Sequence, residues 1–280
     1  MTLRLAYLGP PGTFSEEAAI AYRPDADRAP MASIPAVLGA VAAGRADEGV
    51  VPVENSLQGS VTETVDALIE TPSVAVKGEL ILRIVQCLLA KPGTRLEDVR
   101  VVYSLPQPLG QCRKFLESRL PQAATAAALS TAAAVERMMR EPDGAGAAAI
   151  GTRRAAALYG AAVLAEDIAD YPNNKTRFAV VGREDHPPTG DDKTSIAFSV
   201  AHDRPGSLVE VLHEFSDRAI NLTKIESRPS KQELGIYIFL IDLQGHRTDP
   251  PVAEALEAVR RKAFFFHVFG SYPAYREPPA

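Results

Sequence analysis

The sequence predicts an α/β protein followed by a smaller α+β unit, and three observations carry that reading. Short apolar strands alternate with helical patterns through the first 180 residues, which argues for βαβ units around a parallel sheet. A polar, charged, Pro-containing stretch, REDHPPTGDDK (Arg183 to Lys193), then reads as a linker. Beyond it the order becomes strand, helix, strand, strand, helix, strand, the ferredoxin-like arrangement. With 280 residues, 46% of them apolar, the chain can bury a sizeable core across two or three compact units.

In order, LRLAYLG reads as a buried strand and GPPGTFSEE as a tight turn leading into a helix from about Ser15. EGVVPVE is the next strand, with a helix from about Val61. The apolar run LILRIVQCLLA (Leu80 to Ala90) and VRVVYS (Val99 to Ser104) follow as strands. A helix is expected through Gln111 to Leu120, and an Ala-rich stretch contains AAAVERMMRE. AAAIG is a strand and TRRAAALYG a helix ending at Gly160. TRFAVVG is a strand after an amide-rich turn. In the last unit, TSIAFSVA, NLTKIESRPS, LGIYIFLIDLQG and FFFHVFGSYP are strands, and RPGSLVEVLHEFSDRA and DPPVAEALEAVRRKA are helices.

Composition excludes several classes of function. A net charge of -5, with 30 basic residues spread along the chain, makes no basic stripe for nucleic acid. Cys87 and Cys112 are widely separated in apolar or helical contexts, so reduced core thiols are expected rather than a disulfide. The five histidines have no metal-ligand spacing, so neither a metal nor another cofactor is expected. No apolar run is long enough to span a membrane and no signal-like segment opens the chain, so a cytoplasmic location is expected.

Three loops at strand ends carry candidate chemistry. In GPPGTFSEE, Thr13 and Glu16 match a capping box, and Thr13, Phe14 and Ser15 sit where helix amides favour a carboxylate or phosphate; an ordinary capped helix fits the same residues. ENSLQGSVTET offers Glu54, Asn55 and Ser56 after a strand, then Ser60 with Glu63 as a second capping box; turn chemistry alone would also place Asn and Ser there. In NNKTRF, Thr176, Arg177 and Phe178 bring a hydroxyl, a fixed charge and an aromatic face to the start of a strand, where Arg177 could equally serve a structural ion pair. Ser104, Gln107 and Gln111 in YSLPQPLGQC present a hydroxyl and two amides, with Gln111 either facing a cleft or lying on an exposed helix surface.

Together these strings resemble the prephenate dehydratase family, from about Arg4 to Tyr272. The resemblance implies a periplasmic-binding-protein-like catalytic domain over residues 1–183, with lobes of about 1–80 plus 165–183 and 81–164. It also implies a linker over 184–193 and an ACT regulatory domain over 194–280. The implied reaction turns prephenate into phenylpyruvate, water and carbon dioxide. Thr176 is then the hydrogen-bond donor or general acid, Glu54, Asn55 and Gln111 are further catalytic groups, and Thr13, Phe14, Ser15, Ser56, Ser104, Arg177 and Phe178 bind substrate. A clamp on the departing carboxylate would oppose decarboxylation, so Arg177 is expected on the side-chain carboxylate. The family usually has His where this chain has Leu105, and that His is expected to stand behind the site.

In the last unit the resemblance assigns L-phenylalanine, as a feedback effector, to Gly206, Ser207, Leu208, Val209, Asn221, Leu222, Glu226, Ser227, Arg228 and Pro229, at an interface between copies in a homodimer or dimer of dimers. A chain that begins at the dehydratase strand is expected to lack a fused chorismate mutase. Two alternatives share the fold: an arogenate dehydratase, and a non-catalytic small-molecule sensor.

Overall fold

A computed structural model describes residues 2–200, 204–231 and 236–276. Nearly every expected element is present, and the strands form three sheets. The first has β1 (Arg4–Leu8), β2 (Asp27–Met31), β3 (Glu48–Asn55), β5 (Ala75–Arg83) and β11 (Lys175–Gly182) in the order β2-β1-β3-β11-β5, with the two-residue β4 (Gly59–Ser60) antiparallel to β3. Ser60 therefore pairs with Glu54 in a two-residue ladder just ahead of the following helix, α3 (Thr62–Glu70). The other helices of this part are α1 (Phe14–Tyr22) and α2 (Ile34–Ala42).

The second sheet runs β10-β6-β9-β7-β8, from β6 (Cys87–Ala90), β7 (Val101–Ser104), β8 (Ala124–Ala127), β9 (Ala147–Gly151) and β10 (Ala162–Ala165). Strands β7, β8 and β9 are parallel, whereas β6 is antiparallel to β9 and β10. On one face Tyr103, Val135, Met138 and Ala149 form a core beneath α6 (Thr131–Arg140) and α7 (Arg153–Tyr159). On the other, Leu88, Val102, Ala148 and Ile150 pack with Cys112 and Leu120. The small residues of β9 let α6 come close: a Cβ on Gly151 would stand 2.8 Å from Val135 Cγ2.

Two sequence expectations change here. The run from Leu80 to Ala90 is not one strand, because β5 stops at Arg83 and β6 starts at Cys87, leaving Ile84, Val85 and Gln86 as the passage from the first sheet to the second. The helix expected through Gln111 to Leu120 is two, α4 (Pro106–Gln111) and α5 (Arg113–Arg119), broken at Cys112, whose φ of -110° leaves the helical region.

The third sheet is antiparallel, β13-β14-β12-β15, from β12 (Asp192–Val200), β13 (Leu222–Pro229), β14 (Tyr237–Gln244) and β15 (Ala263–Pro273). Helices α8 (Ser207–Ser216) and α9 (Pro250–Lys262) complete the βαββαβ order and cover one face through Phe198, Val211, Phe215, Ile241, Val252 and Val259. Ala201, Leu234 and Gly235, expected in strands, lie outside the described residues. The stretch read as a linker is tied down: Asp185 accepts from Ser271 N–H and pairs with Arg247, and His186 N–H donates to Ser271 O.

By packing, the chain divides into two compact units, Met1–Val37, Val50–Val61 and Ile81–Phe178 in one, and Leu38–Gly49, Thr62–Leu80 and Ala179–Ala280 in the other. Among the described residues no helix is long and apolar enough to cross a membrane, and no cluster of His, Cys, Asp and Glu could hold a metal ion.

Candidate active site

The first unit contains a cavity of about 690 Å³. Its wall is built from the β1–α1 loop (Gly9, Pro10, Thr13, Phe14, Ser15), the end of β3 (Asn55, Gln58), Ile84 and Gln86, the start of α4, the start of α6, and Asn174, Thr176 and Phe178. Among the described residues, none of the lining side chains is charged. Polarity comes from hydroxyls, carboxamides and helix starts. Thr13 caps α1, its Oγ accepting from Glu16 N–H at 3.4 Å, and Ser130 caps α6, its Oγ accepting from Ala133 N–H at 2.9 Å. Helix geometry leaves the remaining first-turn amides to other acceptors, so both helices present partial positive charge to the cavity.

The β1–α1 loop is held from behind. Glu16 does not return to the Thr13 amide as a capping box would have it; its carboxylate accepts from Gly12 N–H at 2.6 Å and makes a two-pronged pair with Arg154 at 3.1 Å. Burial alone would raise the Glu16 carboxyl, but the guanidinium and the Gly12 amide outweigh it and hold the group below its ordinary range. Thr152 Oγ donates to Gly12 O at 2.9 Å. Gly12 has φ +87°, and a Cβ there would stand 3.2 Å from Ala155 Cβ, so only glycine suits this point of the loop.

Strand alternation sorts the NNKTRF residues. Thr176 and Phe178 are buried and line the cavity, whereas Arg177, between them, does not. Arg177 pairs instead with Glu54 at 3.0 Å, and Glu54 too is absent from the wall, while its neighbour Asn55 is part of it. Asn55 Nδ2 donates to Thr176 Oγ at 2.9 Å, to Asn174 Oδ1 at 2.7 Å and to Lys175 O at 3.2 Å. Asn174, 1% exposed, donates in turn to Gln111 Oε1 at 3.3 Å. Because Thr176 Oγ receives a hydrogen bond on a lone pair, its own proton is available to a ligand.

Of the residues expected at the site, the structure brings Thr13, Phe14, Ser15, Asn55, Gln111, Thr176 and Phe178 to one cavity. It does not bring Glu54, Ser56, Ser104 or Arg177 there. Ser56 Oγ accepts from Lys175 N–H at 3.0 Å and ties loop to strand, and Ser104, fully buried, donates to Ile150 O at 3.1 Å. Leu105, expected to replace a group behind the site, is part of the wall and puts an apolar side chain against the contents. Sequence reasoning passed over Asn174 and Gln86. The first stood in the amide-rich turn already noted, and the second was the one amide inside an apolar run.

In the second unit the expected effector residues separate. Gly206 caps α8 with φ +92°, and Val209 is exposed. Ser227 and Arg228 pair across the ladder with Phe239 and Ile238, and the pleat sends them to opposite faces. Arg228 turns away from α8 and forms a close ion pair with Asp66 on α3, beside a cavity of about 360 Å³ that Phe264, Phe265, Ile238 and Ile69 also line.

A periplasmic-binding-protein-like α/β frame with a cavity lined by hydroxyls, amides and helix starts, and with a ferredoxin-like domain attached, is the class that fold and cavity define. The family model for prephenate dehydratase matches residues 5–186, and that for the ACT domain residues 194–261. The chain belongs to the prephenate dehydratase family and carries an ACT domain. It is 41% identical over 293 residues to the prephenate dehydratase of Mycobacterium bovis, covering 99% of this chain and 90% of the relative. The crystal structure of the prephenate dehydratase of Arthrobacter aurescens in complex with L-Phe is 38% identical with a TM-score of 0.90, covering 99% of this chain and 92% of that one. The structure of GqqA, described as a novel type of quorum quenching acylase, is 29% identical with a TM-score of 0.87, covering 97% of this chain and 98% of that one.

Proposed function

We propose that this protein is a carbon–oxygen lyase that dehydrates and decarboxylates prephenate to phenylpyruvate, with Thr176 as the group beside the leaving hydroxyl. The observation that carries the reading is the Asn55–Thr176 hydrogen bond in an uncharged cavity. Loss of the ring hydroxyl and the ring carboxylate makes the ring aromatic, so the protein has to hold the dianion in a productive pose and help the oxygen leave. An unactivated threonine is too weak an acid to give up its proton fully, and hydrogen bonding to the charge that develops on oxygen is the role its chemistry allows. The carboxylates meet helix-start amides of α1 and α6 rather than a cationic side chain, so the carboxylate that departs is not anchored by a full positive charge. Phe14 and Phe178 supply apolar wall for the ring.

The domain layout that goes with this function is a catalytic part followed by the ACT domain from about residue 194, inhibited by L-phenylalanine in a homo-oligomer. The Arthrobacter aurescens complex with L-Phe supports L-phenylalanine as the effector. A cytoplasmic location suits two free, buried thiols, Cys87 and Cys112, which burial pushes up to about 11 and about 12. The acylase description of GqqA raises amide hydrolysis as a second reading, but no lining side chain can act as a base to activate Thr176, which argues against it.

Incubation with prephenate, followed by phenylpyruvate release with and without L-phenylalanine, tests the proposal. Thr176→Ala should lower kcat by about 10²–10³-fold with little change in KM, the scale for a lost transition-state donor, and Thr176→Ser should keep most of it. Binding of prephenate without turnover would favour the sensor; neither binding nor turnover would turn the test to arogenate.

A further inference from the structure

Three parts of the cavity wall are tied together at Asn174, a residue the sequence gave no reason to single out. It is 1% exposed, and its backbone carbonyl accepts from Ile84 N–H at 2.8 Å, on the passage between the first two sheets. Its side chain stands between Asn55, the last residue of β3, and Gln111, the last residue of α4. All four of these residues line the cavity.

One backbone donor sets the direction of the carboxamides. Leu57 N–H donates to Asn55 Oδ1 at 3.0 Å, so Asn55 turns its nitrogen towards Asn174 and Thr176. That nitrogen has two protons and three acceptors within reach, Asn174 Oδ1 at 2.7 Å, Thr176 Oγ at 2.9 Å and Lys175 O at 3.2 Å. The shortest bond, to Asn174, takes one proton and leaves the other for Thr176 Oγ and Lys175 O. With its own oxygen engaged by Asn55, Asn174 can offer Gln111 only its nitrogen, and Gln111 Oε1 accepts at 3.3 Å. Asn174 is therefore held from the backbone and from both sides of its amide, and it pins the plane in which the Asn55 amide lies.

We propose that Asn174 is a positioning residue for the dehydration, holding the Asn55 carboxamide so that its second N–H meets Thr176 Oγ and the threonine hydrogen is kept for the leaving hydroxyl of prephenate. This rests on the dehydratase reading above. A hydroxyl whose oxygen receives a hydrogen bond is polarised as a donor and has fewer directions in which to turn its own proton. A threonine without that partner rotates among directions of which only some meet the substrate. Asn174 thus acts through Asn55 and Thr176, and its loss falls on turnover rather than on binding.

The test uses the full-length protein in a double-mutant cycle on prephenate turnover, with wild type, Asn174→Ala, Thr176→Ala and the two combined. Asn174→Ala alone should lower kcat by about ten-fold, the scale of one hydrogen bond, and leave KM within about two-fold. In the Thr176→Ala background the same change should lower kcat by less than about two-fold, because the hydroxyl it serves is gone. A ten-fold loss in both backgrounds, as a merely structural role would give, overturns the assignment, and so does wild-type kcat in Asn174→Ala. Should Asn174→Ala not fold, Asn174→Ser takes its place in the cycle, since its hydroxyl is one bond too short for Asn55 but leaves room for water. On wild type itself, amide NMR should find the Asn55 Nδ2 protons slow to exchange with solvent, and fast exchange of both overturns the assignment too. A wild type that does not turn over prephenate sinks the dehydratase reading, and this assignment with it.

Discussion

At the scale of single residues, the proposed site is lined by hydroxyls and carboxamides, which keep one protonation state around neutrality, and the charged groups stand behind it. Glu16 shows how. Its pair with Arg154 and the Gly12 amide fixes the β1–α1 loop from outside the cavity. Since the folded-state pKa lies below the ordinary value of 4.5, the stability it contributes is present in full above that value and is lost as pH falls through the depressed one. Glu16→Gln should therefore cost on the order of 1–2 kcal/mol at neutral pH, an amount discounted for the partly exposed Arg154, and thermal melts of wild type and variant should converge towards acid. Thr13, Asn55 and Thr176 were legible in the sequence through the resemblance to the family, since helix caps and turns also place hydroxyls and amides at strand ends. Glu16 was legible as a capping residue, but its partner Arg154 lies 138 positions away and no local pattern joins them.

Elements explain why neighbouring residues in a motif have different fates. In β11, Thr176 and Phe178 face the cavity and Arg177 faces Glu54, so the strand splits a motif that looks continuous in one dimension. The Arg177–Glu54 pair is partly exposed, with side chains 15% and 37% accessible, and such pairs are worth about 0–1 kcal/mol. Arg177→Met is expected to lower stability by about that much and to leave KM for prephenate within about two-fold, as equilibrium denaturation and steady-state kinetics would show. A ten-fold rise in KM would mean that the guanidinium reaches the substrate. Helices and strands with strong periodicity, such as α9 and β14, were readable from the sequence. The breaks were not, because apolar residues continue from β5 into β6, and only Gln86 marks the passage.

On the scale of the molecule, the third sheet meets α3 through Arg228, whose side chain is 9% exposed and whose Nε has no hydrogen-bond partner. Burial lowers the pKa of this guanidinium, and Asp66, which Lys231 also approaches at 2.5 Å, compensates the charge. Asp66→Ala should destabilise the protein by about 3 kcal/mol, because it leaves a buried cation uncompensated, while Asp66→Leu with Arg228→Met should recover most of the loss. Paired melting curves decide between the two. Fold class was legible in the sequence because βαβ alternation and the βαββαβ order are periodic properties. The destination of Arg228 was not, since a β-bulge between Leu222 and Lys224 shifts which side chains share a face. One consequence follows from the uncharged cavity for how the protein meets its substrate. A chain of net charge -5 offers a dianion no long-range attraction, and helix-start dipoles act only at close quarters. Capture is then governed by diffusion and fit, and added salt, which would throttle an enzyme that draws its substrate in with lysines and arginines, can here only weaken the repulsion between two negative partners.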